Sequence, residues 1–313
     1  MNAKALFRSL TLLIMGVTSM TLSAAPDAAP TPTIAREQVS ATLWMQRAEE
    51  YRIATESVFR LATERLPVLV SEPGSAAIEQ VGDPQSWAKL NTAIIVDLDE
   101  TVLDNTYYQA RQIRAGAEFD EASWQVWMQE SAATAVPGAV EFLQAAARAG
   151  HRIFYITNRG CAPQPSSTDP CPGKSATQRN LLRLGLPNAD QAETLMLRGS
   201  SPEWRTSDKT SRRAWVASRY RVIALFGDDL NDFVPRADYA KRRSELSEMF
   251  GRRWFLLPNP IYGSWERALL SGVCTASMSA AECAAATTER RYGLLETEGQ
   301  RRPGSATSIQ TRR

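Results

Sequence analysis

The chain is predicted to be an α/β protein, a doubly wound parallel sheet with a small helical cap region. Three observations predict this. Short, continuous apolar runs at Thr92–Asp97, Arg152–Thr157 and Val222–Phe226 suit strands buried on both faces. Helical segments of about 10–15 residues separate them, the pattern of βαβ units. Acidic, hydroxyl and amide residues follow these runs, at the strand ends where such sheets bind ligands.

Taken in order, residues 1–25 have the layout of a secretory signal peptide. Lys4 and Arg8 give a positive start, Leu10–Val17 is mostly apolar, and Ser23, Ala24 and Ala25 are small. A buried core helix is the alternative, but a Pro- and Ala-rich linker follows at 26–34. No Cys lies near the cleavage point, so no lipid or other stable membrane anchor is expected after cleavage. No other segment reaches the ~18 apolar residues of a membrane span.

The globular part is expected over 35–286, with a cap insertion around 104–135 and a polar, Arg-rich, unstructured tail over 287–313. Ala35–Leu66 reads as one long helix, because Leu43, Ala48, Tyr51, Ala54, Val58 and Leu61 fall roughly on one face. Pro67 is expected to end it. Helices are expected at Glu121–Ala133, from Pro137-Gly138 to Ala149, at Ser175–Leu184 with Gly185 as its cap, and at Asp208–Arg219. Thr194–Leu197 and Trp254–Leu257 read as further short strands.

The formal net charge is +2, which on its face suggests an anionic partner. Signal cleavage would remove two of the 36 basic residues and none of the 34 acidic ones, leaving no net charge. No nucleic-acid polymer is therefore expected as a partner. Cys161, Cys171, Cys274 and Cys283 form two close pairs, which in an exported chain suggests two local disulfides. Three pairings are possible and this one rests on proximity. Zinc is the alternative, but CxxC spacing is absent and His151 is the only histidine.

That single histidine excludes sites built on several His ligands. His151 precedes a strand, at the wrong end of the sheet for a Ser-His-Asp triad, and reads as structural. No Cys-x5-Arg phosphate loop or GxGxxG fingerprint occurs. Gly173-Lys174-Ser175 mimics the end of a P-loop, but residue 168 is Thr where the motif needs Gly.

The first strand ends in Asp97-Leu98-Asp99-Glu100-Thr101. Two carboxylates so close would repel, and a hard dication such as Mg²⁺ offers them a partner. A capped turn is the bland alternative. The third clear strand ends in Gly227-Asp228-Asp229-Leu230-Asn231-Asp232, a second acidic cluster. The second ends in Thr157-Asn158-Arg159, with a hydroxyl and an amide suited to phosphate oxygens, and Lys209 opens a helix. The combination is harder to explain as structure than any one part.

These four elements resemble the motifs of the haloacid dehalogenase superfamily of phosphohydrolases. The stretches DLDETVLDN (97–105), FDEASWQVW (119–127), AVPGAVEFL (135–143), FYITNR (154–159), SDKTSRR (207–213), FGDDLNDF (226–233) and LPNPIYGSWE (257–266) are similar to the bacterial class C (subfamily IIIB) acid phosphatases, exported relatives of the outer-membrane lipoprotein type. The likeness covers roughly residues 40 to 272. It implies a periplasmic or secreted enzyme with one Mg²⁺ per site, acting on small phosphomonoesters of the 5'-nucleotidase kind.

The resemblance also implies roles. Asp97 would be the nucleophile and Asp99 the acid and base. Mg²⁺ would be held by the Asp97 carboxylate, the Asp99 backbone carbonyl and the Asp228 carboxylate, with Asp232 orienting a metal water or Lys209. Thr157, Asn158 and Lys209 would bind the phosphate oxygens. Trp124 and Tyr262 match positions whose aromatics sandwich a nucleotide or aryl ring, and Tyr108 joins them as a candidate contact. The same aromatics have a core alternative, since Trp124 and Trp127 lie three apart and one should pack inward.

The chain departs from the family at three places. Asp229 stands where Asn is frequent, which leaves its place in the metal shell open. The lipid-attachment Cys is missing, and the Cys161–Cys171 segment looks inserted. Two other functions remain as readings: a phosphotransferase using alcohol acceptors, and a non-catalytic surface binding protein. A homodimer rests on analogy alone.

Overall fold

The computed structural model describes residues 38–163 and 167–297. The signal peptide and linker expected over 1–34 lie outside the described residues, as do residues 298–313. Among the described residues no helix is long and apolar enough to cross a membrane.

Five parallel strands form the main sheet: β1 (Thr92–Val96), β4 (Arg152–Gly160), β5 (Leu195–Arg198), β6 (Arg221–Gly227) and β7 (Trp254–Leu256). Their order is β5-β4-β1-β6-β7. Connections run outward in both directions from β1, so the expected doubly wound sheet is the one observed, with its switch point at the end of β1.

The period of two along each strand divides the core. Ile94, Val96, Ile153, Tyr155, Leu195, Leu197 and Phe226 face one side, with Phe59, Leu66 and Phe142 from the helices. Ala93, Ile95, Phe154, Ile156, Met196 and Trp254 face the other, with Val216 and Phe233. A bulge between Ala93 and Ile94 shifts the β1–β6 register by one residue. Phe226 stacks on Phe59 and Phe255 at ring-centroid distances of 5.6 and 4.8 Å, which anchors the end of β6 beneath the acidic cluster.

The long N-terminal helix is two helices, α1 (Val39–Arg47) and α2 (Glu49–Ser71). Ala48 is extended between them, at φ −80° and ψ 130°. The charges fit a break there, since Arg47 closes α1 and Glu49 and Glu50 open α2. Pro67 does not end α2, which runs four residues further and is followed by the one-turn α3 (Pro84–Trp87). Burial of Leu66 and Leu69 in the core offsets the backbone hydrogen bond that proline cannot make. The break lets α1 lie against the helix at Thr106–Ala115 and the Ile261-Tyr262 loop, where Met45, Tyr51 and Ile261 are buried together.

After β1 the chain forms a two-residue ribbon, β2 (Leu103–Asp104) with β3 (Thr134–Ala135), a pairing the sequence does not announce. Between its strands lie α4 (Thr106–Ala115) and α5 (Glu121–Glu130). The second helix stops three residues earlier than its pattern suggests, because Ser131 turns into the left-handed region. Further crossover helices are α6 (Ala139–Arg148), α7 (Pro172–Arg183) and α8 (Thr210–Ala217). Gly173 belongs to α7 and serves packing, since a side-chain carbon there would strike the Gly160 carbonyl.

Both disulfides have the expected pairing, Cys161–Cys171 and Cys274–Cys283. A helix at Ala280–Gly293, with Ser279 and Glu282 forming a capping box, carries structure past Thr287, where the unstructured tail was expected to begin. His151 is buried at the opposite end of the sheet from the site, and its Nδ1 is 2.7 Å from Thr92 Oγ1. Its structural assignment therefore stands.

Candidate active site

The ends of β1, β4 and β6 and the start of α8 converge. Asp97 follows β1 directly and its N–H donates to the Phe226 carbonyl at 3.0 Å, which sets it beside the end of β6. Lys209, at the α8 N-cap, sends Nζ to Asp97 Oδ1 and to Asp232 Oδ1, the latter at 2.7 Å. All three side chains are under one-tenth exposed. Carboxylate oxygens of Asp97, Asp228 and Asp232 lie within 4.8 Å of one another.

Burial decides the electrostatics here. It pushes the Asp97 carboxyl up to about 7; the Lys209 charge opposes this, and Asp232 and Asp99 add to it. Burial, and then the charges of Asp232 and Asp97, hold Asp228 well above the carboxylate range. Burial alone would lower Lys209, but the carboxylates of Asp232 and Asp97 outweigh it and hold the ammonium above its usual value. The donor set is all oxygen, with Asp97 and Asp232 buried and Asp228 half-buried, and richer in negative charge than one lysine neutralises. Those are the features a hard divalent cation fits.

Asp228 is fixed from two sides. Thr101 Oγ1 donates to its Oδ1 at 3.2 Å and Asn259 Nδ2 to its Oδ2 at 2.8 Å. Asp232 gives its second oxygen to the Asp229 N–H at 3.0 Å. Gly227 is required by that approach, because a side-chain carbon would collide with Cβ and Oδ2 of Asp232.

Asp229 turns away from the cluster. It caps the short helix α9 (Leu230–Phe233) through the Asn231 N–H at 2.9 Å, and it accepts from the N–H and Oγ of Ser264. Burial would raise its carboxyl, but the Ser264 donors hold it below the usual value. The open question about Asp229 thus has a structural answer: it ties the end of β6 to the loop after β7.

Asp99 points to the other side, toward Thr157. Thr157 Oγ1 donates to Asp99 Oδ2 at 3.4 Å, and Arg159 grips the same carboxylate with both Nε and Nη2. Asn158 is exposed, and its Oδ1 accepts from Arg212 Nη2 at 2.8 Å. It stands at the site, but its carbonyl oxygen is already engaged.

The aromatics divide. Trp124 is half-buried and packs edge-on against Tyr108 at 5.0 Å. Trp127 is the inward member of the pair, 3% exposed, with Nε1 donating to Asn105 Oδ1 at 2.8 Å. Tyr108 is 4% exposed and its hydroxyl is 3.0 Å from Ser123 Oγ. The structure therefore places the Tyr108 ring inside the packing of α4 and α5. Tyr262 is half-buried beside Met45, Tyr51 and Ile261.

Six contributors lay in stretches already conspicuous, but no spacing assigned them. Arg159 and Asn105 hold Asp99, Asn259 holds Asp228, and Glu100 ties the loop after β1. Glu100 does so from a left-handed backbone at φ 63°, accepting from the Asn105 N–H at 2.9 Å. Arg212 donates to the Thr157 carbonyl at 2.6 Å. Arg213, fully buried and paired with Glu79 at 2.7 Å, donates to the carbonyls of Asn231 and Asp232.

This arrangement has counterparts in solved structures. The class C acid phosphatase of Bacillus anthracis superposes with a TM-score of 0.66 at 28% identity, covering 84% of this chain and 98% of that one. The same enzyme with tungstate bound matches equally well. In sequence, Acid phosphatase 1 of Solanum lycopersicum is 28% identical over 172 residues, and the Stem 31 kDa glycoprotein of Glycine max 23% over 175. Those alignments cover 54% and 55% of this chain and span little more than half the length of the plant proteins, 57% and 59%. The profile of subfamily IIIB, the acid phosphatases, matches residues 11–265. The chain therefore belongs to subfamily IIIB, the acid phosphatases, of the haloacid dehalogenase superfamily.

Proposed function

We propose that the protein is an exported, Mg²⁺-dependent acid phosphatase that hydrolyses small phosphomonoesters, nucleoside 5'-monophosphates foremost. The observation that carries this is the convergence of Asp97, Asp228, Asp232 and Lys209 in one buried strand-end site. Tungstate is a tetrahedral oxyanion like phosphate, and its binding by the Bacillus relative supports the same ligand class here.

An Asp97 oxygen attacks phosphorus, and the bond from phosphorus to the leaving oxygen breaks. Asp99 gives that oxygen its proton, releasing the alcohol. A water oxygen then attacks phosphorus while Asp99 takes the water's proton. The Asp97–phosphorus bond breaks, and free phosphate and the original carboxylate result. Lys209 and Thr157 hold the non-bridging oxygens of the transferring phosphoryl group.

Mg²⁺ would be held by the carboxylates of Asp97 and Asp228 and the backbone carbonyl of Asp99. It would neutralise charge gathered by the transferring phosphoryl group. Asp232 is already committed to Lys209 and to the α9 cap, which favours its role as the residue that orients Lys209.

Trp124 offers a half-buried indole for a nucleoside ring, and Tyr262 is the second candidate face. Helices α4 and α5 would act as the cap. The two disulfides support an oxidising compartment, periplasmic or extracellular.

The test is an assay of the purified chain on nucleotides, an aryl phosphate and an aliphatic phosphate. It is run with Mg²⁺ or chelator, with Asp97→Asn alongside. Unchanged turnover in that variant rejects the mechanism; unchanged turnover in chelator rejects the Mg²⁺ requirement. Added acceptor alcohols report any phosphotransfer.

A further inference from the structure

Arg159 is held on every side. Nε donates to Asp99 Oδ1 and Oδ2 at 3.0 and 3.2 Å, and Nη2 to Oδ1 at 2.7 Å. Nη2 also reaches Asn105 Oδ1 at 3.3 Å, and Nη1 reaches Thr177 Oγ1 at 3.2 Å. The plane of the guanidinium is covered as well, since its carbon lies 5.5 Å from the centroid of the Trp124 ring. The residue is 3% exposed.

A surface ion pair would carry little meaning. This one is buried, forked and braced by two further acceptors and an indole. A lysine could supply the charge but not the fork that fixes a carboxylate's rotation. Asp99 needs such fixing, because its carboxyl sits at a strand-end turn with one other strong donor, Asn105 Nδ2 at 2.9 Å.

We propose that Arg159 is the positioning residue of Asp99. It sets the rotation of the carboxyl group whose oxygen hands a proton to the leaving alcohol, and Trp124 and Thr177 set Arg159 in turn. Trp124 then has two duties, ring contact with substrate and support of the acid's anchor. The inference rests on the reading of Asp99 as proton donor.

The test is leaving-group dependence. Substituted phenyl phosphates keep the ring alike while the basicity of the departing phenol varies; an aliphatic phosphate extends the range. The measure is kcat/KM of the Mg²⁺-saturated full chain, which reports only the steps through cleavage of the ester bond. Dinitrophenol leaves without help from an acid, whereas an alkoxide does not.

Arg159→Ala is expected to lower kcat/KM about 10²-fold on the aliphatic ester, and by less than about threefold on dinitrophenyl phosphate. Arg159→Lys should fall between. Thr177→Val, which removes one brace and keeps the shape, should show the same grading more weakly. Equal loss across the series in these variants overturns the proposal. If Arg159→Ala does not fold, Arg159→Lys and Thr177→Val decide it in the same way.

Asp99→Asn separates the two layers. A graded loss there with a uniform loss in the Arg159 variants rejects only the role of Arg159. A uniform loss in Asp99→Asn rejects Asp99 as the proton donor, and the inference falls with it.

Discussion

Lys209 and Asp232 are held 2.7 Å apart, and the same ammonium reaches Asp97, so one cation joins the ends of β1 and β6. Asp97 and Asp232 lie 135 positions apart in the chain and would repel across the gap without it. Lys209→Met should therefore lower kcat about 10²- to 10³-fold, with a smaller change in KM, because the charge acts on the transferring phosphoryl group. Steady-state kinetics with circular dichroism as a folding control check this. Retained kcat would remove Lys209 from the machinery.

The raised Asp97 carboxyl makes metal-free stability depend on pH. Its folded value is about 7 against 3.8 for the unfolded group, so the folded chain holds this proton more tightly. The stability it contributes is fully present below about pH 3.8 and is lost as pH rises through about 7. A dication binds the ionised cluster and opposes that loss. The rise in Tm on adding Mg²⁺ to chelated protein should accordingly be larger above pH 7 than near pH 5. Equal rises at both would contradict the arrangement.

Asp229 should behave as a structural residue. Asp229→Ala removes the α9 cap and both Ser264 contacts, and is expected to cost about 1–3 kcal/mol of stability. Urea unfolding should show a lower midpoint at unchanged slope. Because its folded carboxyl is held below the usual value, its contribution is present above the unfolded value of 3.8 and is lost as pH falls through the lower folded one.

The two tryptophans of α5 should separate cleanly. Trp124→Ala is expected to raise KM for nucleoside monophosphates by about 5- to 150-fold, the equivalent of ~1–3 kcal/mol of stacking. An aliphatic phosphate should be affected less. Trp127→Phe keeps the buried ring but leaves Asn105 Oδ1 without its indole donor, so it should lower Tm more than it alters KM. The reverse pattern would exchange their roles.

The sheet was legible because strands buried on both faces must be apolar throughout, and Thr92–Val96 and Arg221–Gly227 are nearly so. Asp97, Asp228 and Lys209 were legible because charge at a strand end needs a partner. The break at Ala48 was harder: apolar residues on both sides share a face, and only the switch from Arg47 to Glu49-Glu50 marks it. The pairing of Leu103–Asp104 with Thr134–Ala135 is too short to leave a periodic trace. The burial of Tyr108 was not legible, because an aromatic near a site looks alike in sequence whether its ring is open or covered. Arg159 was passed over for a related reason, as its meaning depends on Asp99, 60 positions away.

Helix α8 carries Lys209 at its cap, then Arg212 and Arg213 one turn on, and each reaches a different part of the site. Lys209 takes Asp97 and Asp232, Arg212 the Thr157 carbonyl, and Arg213 the carbonyls of Asn231 and Asp232. Three loops from three strand ends therefore share one rigid lever arm. Their positions are coupled through the placement of this eight-residue helix. A sideways slip of α8 would shift Asp97, Thr157 and the acidic cluster together. Substitutions that leave α8 in place are therefore the ones that can retune these parts one at a time.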